Sequence, residues 1–262
     1  MSALDGVIAK LGRAEEHRRI AREIDKVFAQ KECRIEPKFN PKTDSHDFIA
    51  RLPSPPTELS LILGDAFHNI RTALDHLVWG LVEANPNRPP NTPGTFTMFP
   101  ICDTRQGYRE QVAKRRILGA VSEAAALIDG AQPYHRREAG RDHTLHPLWV
   151  LNALENIDKH RRLTLTATVG LTRRGDDTRY LVDGNVTAVV PHPETFRDGA
   201  VVASFPAPTD TNRKVRVQGQ ITAAVVFDER SVFSSDSNAF AVFDTVLDYT
   251  NSLVADLARY LR

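Results

Sequence analysis

The stretch LGDAFHNIRTALDHLVWGLV, residues 63–82, decides the fold. At about 100° per residue, Leu63, Ala66, Phe67, Ile70, Ala73, Leu74, Leu77, Val78 and Leu81 share one broad arc. That arc predicts a core-facing helix. Asp65, Asn69, Thr72 and His76 stack on the opposite side at spacings of three and four. His68, Asp75 and Trp79 share a neighbouring edge, and Arg71 stands four residues before Asp75. Asp65 with Asn69, and Arg71 with Asp75, also read as ordinary i,i+4 surface pairs. Trp79 on the polar side predicts that the stripe is covered. A covered polar stripe must find hydrogen-bond partners, as an internal network or as a site.

The helix is bounded on both sides. PSPP (53–56) stops a preceding hairpin, Thr57 supplies the cap and Glu58 an acidic first turn. Beyond residue 84, NPNRPPNTPG (85–94) holds four prolines and predicts an extended loop. FTMFPI (96–101) predicts an apolar anchor for that loop. Upstream, residues 2 to 30 repeat apolar positions at helical spacing, and CRIEPKFNPKTDSHDFIARL (33–52) reads as two strands around a turn. Downstream, 104–129 predicts one or two amphipathic helices broken at Gly119, QPYHRREAGRDH (132–143) a polar loop, and 145–162 a third clear helix. LTLTATVGL, TRYLVDGNVTAVV, AVVASF and KVRVQGQITAAVVF then follow period 2 or run β-branched, which predicts one antiparallel sheet of four strands with RRGDD as a turn. Gly175 and Gly184 fall at its turns. Residues 237–262 return to helix. The expected class is α+β: a helical bundle with an antiparallel β-sheet inserted before the C-terminal helix. In this reading the chain is a single domain, with the bundle over 1–161 and 235–262 and the β lobe over 162–230.

Composition excludes several classes. The chain has 262 residues, 41% hydrophobic and 26% charged, which is ordinary globular usage. A net charge of +1 gives no global attraction to nucleic acid or anionic membrane, so a polyanion site has to be a local patch. Arginine outnumbers lysine 26 to 8, which reads as base composition of the gene or as a use for forked phosphate contacts. Cys33 and Cys102 are the only cysteines, and without CxxC spacing they predict no cysteine zinc site. The N-terminus becomes charged too early for a signal peptide, and no apolar run reaches the ~18 residues of a membrane span. The expectation is a soluble cytoplasmic protein with no membrane partner. Walker A, GxGxxG, HExxH and GxSxG patterns are lacking in the sequence.

The second polar candidate is LNALENIDKHRR, residues 151–162. Trp149, Val150, Ala153, Leu154 and Ile157 form an apolar face; Glu155, Asp158, Lys159 and Arg162 form the opposite one. Asn156 and His160 sit at the boundary, where a polar side chain reaches a cleft between helices. The same cations also read as a basic last turn that complements the helix macrodipole.

RTALDH, Arg71 to His76, resembles the R-x(4–6)-H motif of the HEPN superfamily, helical-bundle proteins that include many bacterial ribonuclease toxins and phage-defence effectors. The resemblance implies metal-independent cleavage of RNA by 2′-hydroxyl attack, across a homodimer, with no cofactor. His76 would act as general acid or base, Arg71 would stabilise charge on the phosphoryl oxygens, and His160 would join them as a catalytic group. His68, Asn69, Thr72, Asp75, Asn156, Lys159 and Arg161 would bind substrate. Thr72 departs from the polar amide or acid that the family more often places after the arginine. Residues five apart also point about 140° apart on one helix, so a long side chain or a second protomer has to close that gap.

Two alternatives stay open. Asp65-x-x-His68 has the i,i+3 geometry of bundle carboxylate–histidine ligands, and with His76, Glu155 and His160 predicts a zinc, iron or manganese site; DinB-like bundles with three histidines are similar, and His135, His143 and His146 lie in loops nearby. The whole sequence is also similar to a broad group of bacterial proteins with GDxxHNxRxALDH, QPY and NxDKHR segments, a likeness that implies no activity. A non-catalytic binding or assembly protein would use the same stripe as a specificity network.

Overall fold

A computed structural model describes residues 3–171, 178–182, 185–190, 195–206, 215–218, 221–233 and 237–261. The fold is α+β, with seven α-helices and ten strands among the described residues. The helices are α1 (Ala3–Ala29), α2 (Thr57–Ala84), α3 (Arg105–Ala113), α4 (Ser122–Gly130), α5 (Tyr134–Glu138), α6 (Pro147–His160) and α7 (Ala239–Leu257). None of them is long and apolar enough to cross a membrane. The chain divides into two compact units: Met1–Arg22, Ser60–Leu163 and Phe240–Arg262 form the first, and Glu23–Leu59 with Thr164–Ala239 the second.

The first unit is helical. Every position of the α2 arc is buried, from Leu63 to Leu81. Burying each large aliphatic or aromatic side chain there contributes about 1.5–3 kcal/mol. Phe67 meets the edge of Phe243 on α7 with ring centroids 5.4 Å apart. α1 supplies Val7, Leu11 and Ala14 to the core. It is tied to α7 where Arg18 Nε donates to Asp244 at 2.5 Å and the Arg22 guanidinium lies 4.1 Å from the Phe240 ring centre.

The loop after α2 is held by side-chain bonds from Arg88 to its backbone and by one apolar anchor. Arg88 donates to the carbonyls of Thr92 at 3.0 Å and Glu83 at 2.9 Å. Within 96–101 the buried anchor is Phe99; Phe96 is exposed. The segment 132–143, expected as a polar loop, instead contains α5 and two buried polar side chains. Gln132 Nε2 donates to the carbonyls of Pro100 and Ile128 at 3.0 and 2.9 Å, and its Oε1 accepts from Cys102 N–H at 2.9 Å. Tyr134 is buried with its hydroxyl bonded to Asp129. Three backbone groups from two segments satisfy one amide, which is why so polar a stretch packs inward.

The second unit carries the strands. β1 (Arg34–Asn40) and β2 (Ser45–Arg51) form the expected hairpin, with Arg34 opposite Arg51 and Asn40 opposite Ser45. The other strands are β3 (Leu165–Leu171), β4 (Thr178–Val182), β5 (Asn185–Val190), β6 (Thr195–Arg197), β7 (Val201–Pro206), β8 (Val215–Gln218), β9 (Ile221–Phe227) and β10 (Ser237–Asn238). The single four-stranded sheet read from the sequence is corrected to three sheets, in orders β1-β2-β7, β10-β9-β3-β6 and β5-β4-β8. β3 and β9 pair over seven residues, Leu165 with Phe227 through Leu171 with Ile221. β7 leaves its sequence neighbours and pairs with β2 of the early hairpin. Period 2 marks a strand but carries no information about its partner. The RRGDD turn and Gly184 lie outside the described residues.

α6 starts on an unusual cap. His146 is buried and its Nδ1 accepts from Leu148 N–H at 3.2 Å, Pro147 fills the first helical position, and the imidazole meets the Tyr249 ring at 5.0 Å. The lone pair that caps must be unprotonated. Burial, helped by the charge of Arg136, lowers the His146 pKa from 6.5 to about 4. The unfolded chain therefore takes the proton first, so the cap's contribution is complete above pH 6.5 and fades as pH falls toward 4. His146→Ala is expected to lose about 1 kcal/mol at pH 7 in urea unfolding. His146→Asn retains a cap without a titrating group, so its urea midpoint should fall less than the wild type's between pH 7 and pH 4.5.

Candidate polar site between α2 and α6

α2 and α6 come close at Gly64, where an added Cβ would lie 2.6 Å from Asp158 Cγ. Only a residue without a side chain lets the Asp158 carboxylate rest there. One turn along, Glu155 is just 3% exposed. Its carboxylate takes the Lys159 ammonium at 2.7 Å and lies 3.5 Å from His68 Nδ1. A buried carboxylate needs such partners, because burial without them costs several kcal/mol.

Arg71 and Asp75 form a second cluster on α2. Arg71 Nη2 donates to Asp75 Oδ1 at 3.0 Å and to the Phe99 carbonyl at 2.7 Å. Asp75 Oδ1 accepts from Phe99 N–H at 2.9 Å. The two side chains thus grip both backbone groups of the residue that anchors the loop after α2. Arg71 is only 12% exposed, and its Nη1 is buried without a hydrogen-bond partner among the described residues. Burial raises the Asp75 pKa, with the charge of Glu155 adding to it and Arg71 and the Phe99 N–H opposing. Asp158 is raised for the same first reason, with the charges of Asp65 and Glu155 adding and His68 opposing. Asp75 therefore feels the charges of Arg71, Glu155 and Lys159, and Asp158 those of Asp65, His68 and Glu155.

The structure brings together only some of the residues expected from sequence. Arg71 and Asp75 meet, and Lys159 and His68 meet on Glu155. Thr72 turns inward on its own helix, its hydroxyl donating to the His68 carbonyl at 2.9 Å. Asn69 donates to the Asp65 carbonyl at 2.8 Å and accepts from Lys10 Nζ on α1 at 3.5 Å. His76 points to α1, with Nδ1 3.2 Å from where a Cβ on Gly6 would lie, so it does not join Arg71. Asn156, His160 and Arg161 are exposed. Among the described residues no group of three or more His, Cys, Asp and Glu side chains is arranged to hold a metal ion, and Asp65, His68, His76 and His160 form no such group. The loop histidines are separate: His135 lies 3.5 Å from Asp129, His143 lies 3.9 Å from Asp103, and His146 is the cap.

Three corrections follow. Trp79 is 44% exposed, so the described residues do not cover that part of the stripe. The inward face of α6 is Leu148, Leu151, Leu154 and Glu155, so Glu155 replaces Asn156 and His160 as the group turned toward α2. Gly64 and the Phe99 backbone also belong to the site, beyond the side chains expected from sequence. The i,i+4 pair Glu155–Lys159 was a visible signal for the buried carboxylate; a backbone partner 24 residues downstream of Asp75 leaves none.

Arg71→Ala leaves Asp75 and the Phe99 carbonyl without their cation and is expected to cost about 2–4 kcal/mol in urea unfolding. Asp75→Ala should cost a similar amount, and the double variant clearly less than the sum, since both side chains act on the same loop residue. Gly64→Ala should destabilise by about 1–3 kcal/mol, with the loss reduced in an Asp158→Ala background.

Comparison with protein-family models, with curated proteins and with solved structures finds no match to this chain.

Proposed function

We propose that this protein binds and assembles, and that Arg71 and Asp75 serve its fold rather than a reaction. The observation that carries this reading is the commitment of both side chains to the Phe99 backbone. A guanidinium that is 12% exposed and shares one nitrogen between a carboxylate and a carbonyl presents no open fork to a phosphoryl group. Asp75, bonded to the same guanidinium nitrogen, already offsets the charge that a phosphodiester would need. The outer face of α2, with Leu61, His68 and Trp79 exposed, offers the mixture of aliphatic, aromatic and polar groups typical of a recognition surface.

A second reading, a metal-independent ribonuclease of the HEPN type, is favoured by His76 and His160. Both imidazoles are exposed and neither has a hydrogen bond to a described residue. His76 would take the proton from the 2′-hydroxyl, and Lys159, Arg161 and Arg162 beside His160 would contact the RNA backbone. Arg71 would then hold the helix rather than the phosphate.

The two readings separate in one assay. Purified protein incubated with a mixed-sequence RNA in EDTA is expected to leave it intact. Cleavage that is lost in a folded His76→Ala variant would overturn the binding reading in favour of the ribonuclease.

A further inference from the structure

The turn before α3 and the end of α3 bring apolar and cationic side chains together on the first unit. Phe96 is 61% exposed and Val112 40%. Phe96 rides on a braced turn: Thr97 N–H donates to the Gly94 carbonyl at 2.8 Å, and Gly94 N–H to Thr97 Oγ1 at 2.9 Å. The turn is fastened to the chain after α3. Met98 N–H donates to the Arg116 carbonyl at 3.0 Å, and Arg116 Nη1 to the Phe96 carbonyl at 3.4 Å. Arg116 Nε also donates to Gln111 Oε1 at 3.0 Å, so neutral acceptors hold this guanidinium. Beside it Lys114 and Arg115 are exposed, and their side chains have no hydrogen bond or ion pair among the described residues. Arg109 is exposed on α3, three residues before Val112. Within 109–116 these four cations stand against one carboxylate, Glu110. Arg115 holds φ at 67°, a left-handed conformation that glycine adopts freely and arginine adopts at a cost. The turn alone would favour glycine there, so the reason for arginine lies in what its charge meets.

We infer that this face docks on an anionic lipid surface, with Phe96 and Val112 entering the interfacial layer and Arg109, Lys114, Arg115 and Arg116 on the headgroup phosphates. This surface goes beyond the reading of α2, and neither needs the other. A net charge of +1 gives no attraction at long range, so contact depends on the local excess of cations. None of the helices is long and apolar enough to cross a membrane, and a surface contact needs none that does. Cations on an anionic leaflet and an apolar side chain beneath them act together, since neither alone anchors a protein firmly. The form of the patch selects the occupant. Both apolar side chains project into water, and a projecting ring suits a soft partner that it can enter. A strand of nucleic acid would be held by successive aromatic platforms, whereas Phe96 is the one exposed aromatic ring in 94–116. An acidic peptide would satisfy the cations and gain little from an isolated ring.

The test uses the full chain and sucrose-loaded vesicles. Vesicles of phosphatidylcholine with about 30% phosphatidylserine are expected to carry the protein down at about 0.1 M salt, and vesicles of phosphatidylcholine alone to leave it in solution. Lys114→Glu combined with Arg115→Glu should weaken the partition by about tenfold or more. Phe96→Ser should weaken it several-fold with the same dependence on salt, because a ring in the interface is not screened. Arg115→Gly separates contact from fold: glycine suits the positive φ, so the urea midpoint should stay close to the wild type's while vesicle binding falls. Equal partition onto both kinds of vesicle, partition onto neither, or Phe96→Ser binding like the wild type would each overturn the inference. Retardation of a mixed-sequence RNA, abolished by the two glutamates while vesicles stay unbound, would also overturn it and assign the patch to nucleic acid. RNA cleavage in EDTA tests the reading of α2 alone.

Discussion

Burial of the α2 arc is the constraint on which the first unit depends. Nine positions from Leu63 to Leu81 have at most 1% of their surface in contact with water, and α1, α6 and α7 all carry residues that pack or bond against this helix or its neighbours. So apolar an arc leaves α2 little rotational freedom. Turning it by one residue would expose Phe67 or Leu74 and bury Asp65. The fixed rotation then dictates what the polar residues meet. Gly64, His68, Arg71 and Asp75 face α6 and the loop carrying Phe99, whereas Asn69 and His76 face α1.

The polar residues fall into two groups by the cost of leaving them unpaired. Glu155, Arg71 and Asp75 are substantially buried and all have partners within the unit: Lys159 and His68 for the first, each other and the Phe99 backbone for the rest. Their removal is a matter of stability. His76, His160 and Asn156 are in water, where no partner is needed, and so remain available for a ligand or a second chain. That division separates the two functional readings more sharply than any motif does. The R-x4-H spacing joins one residue of each group, a clamped arginine and an exposed histidine, pointing to different neighbours.

Loop positions illustrate the same economy of partners. Gln132 satisfies three backbone groups with one amide, Arg88 closes the loop after α2 on two carbonyls, and His146 caps α6 with a ring nitrogen that burial keeps neutral. In each case a polar side chain replaces secondary-structure hydrogen bonds that a loop cannot supply.

Local sequence determined the elements. Apolar spacing placed α1, α2 and α6 and the terminal helix, PSPP and the proline-rich loop bounded α2, and period 2 marked the strands, because each of these signals acts between residues a few positions apart. The 140° divergence of Arg71 and His76 was also legible, since helix geometry alone sets it. Tertiary structure decided the partners. β7 joins β2 rather than its sequence neighbours, Phe99 rather than Phe96 is the anchor, and Glu155 turns inward while Trp79 stays in water. A carboxylate reads as a surface residue and a tryptophan as a core residue until their surroundings are known. Lys159 and His68 reverse the first assignment, and an open helix face reverses the second, because the energy of a buried charge or an exposed ring depends on what distant parts of the chain bring beside it.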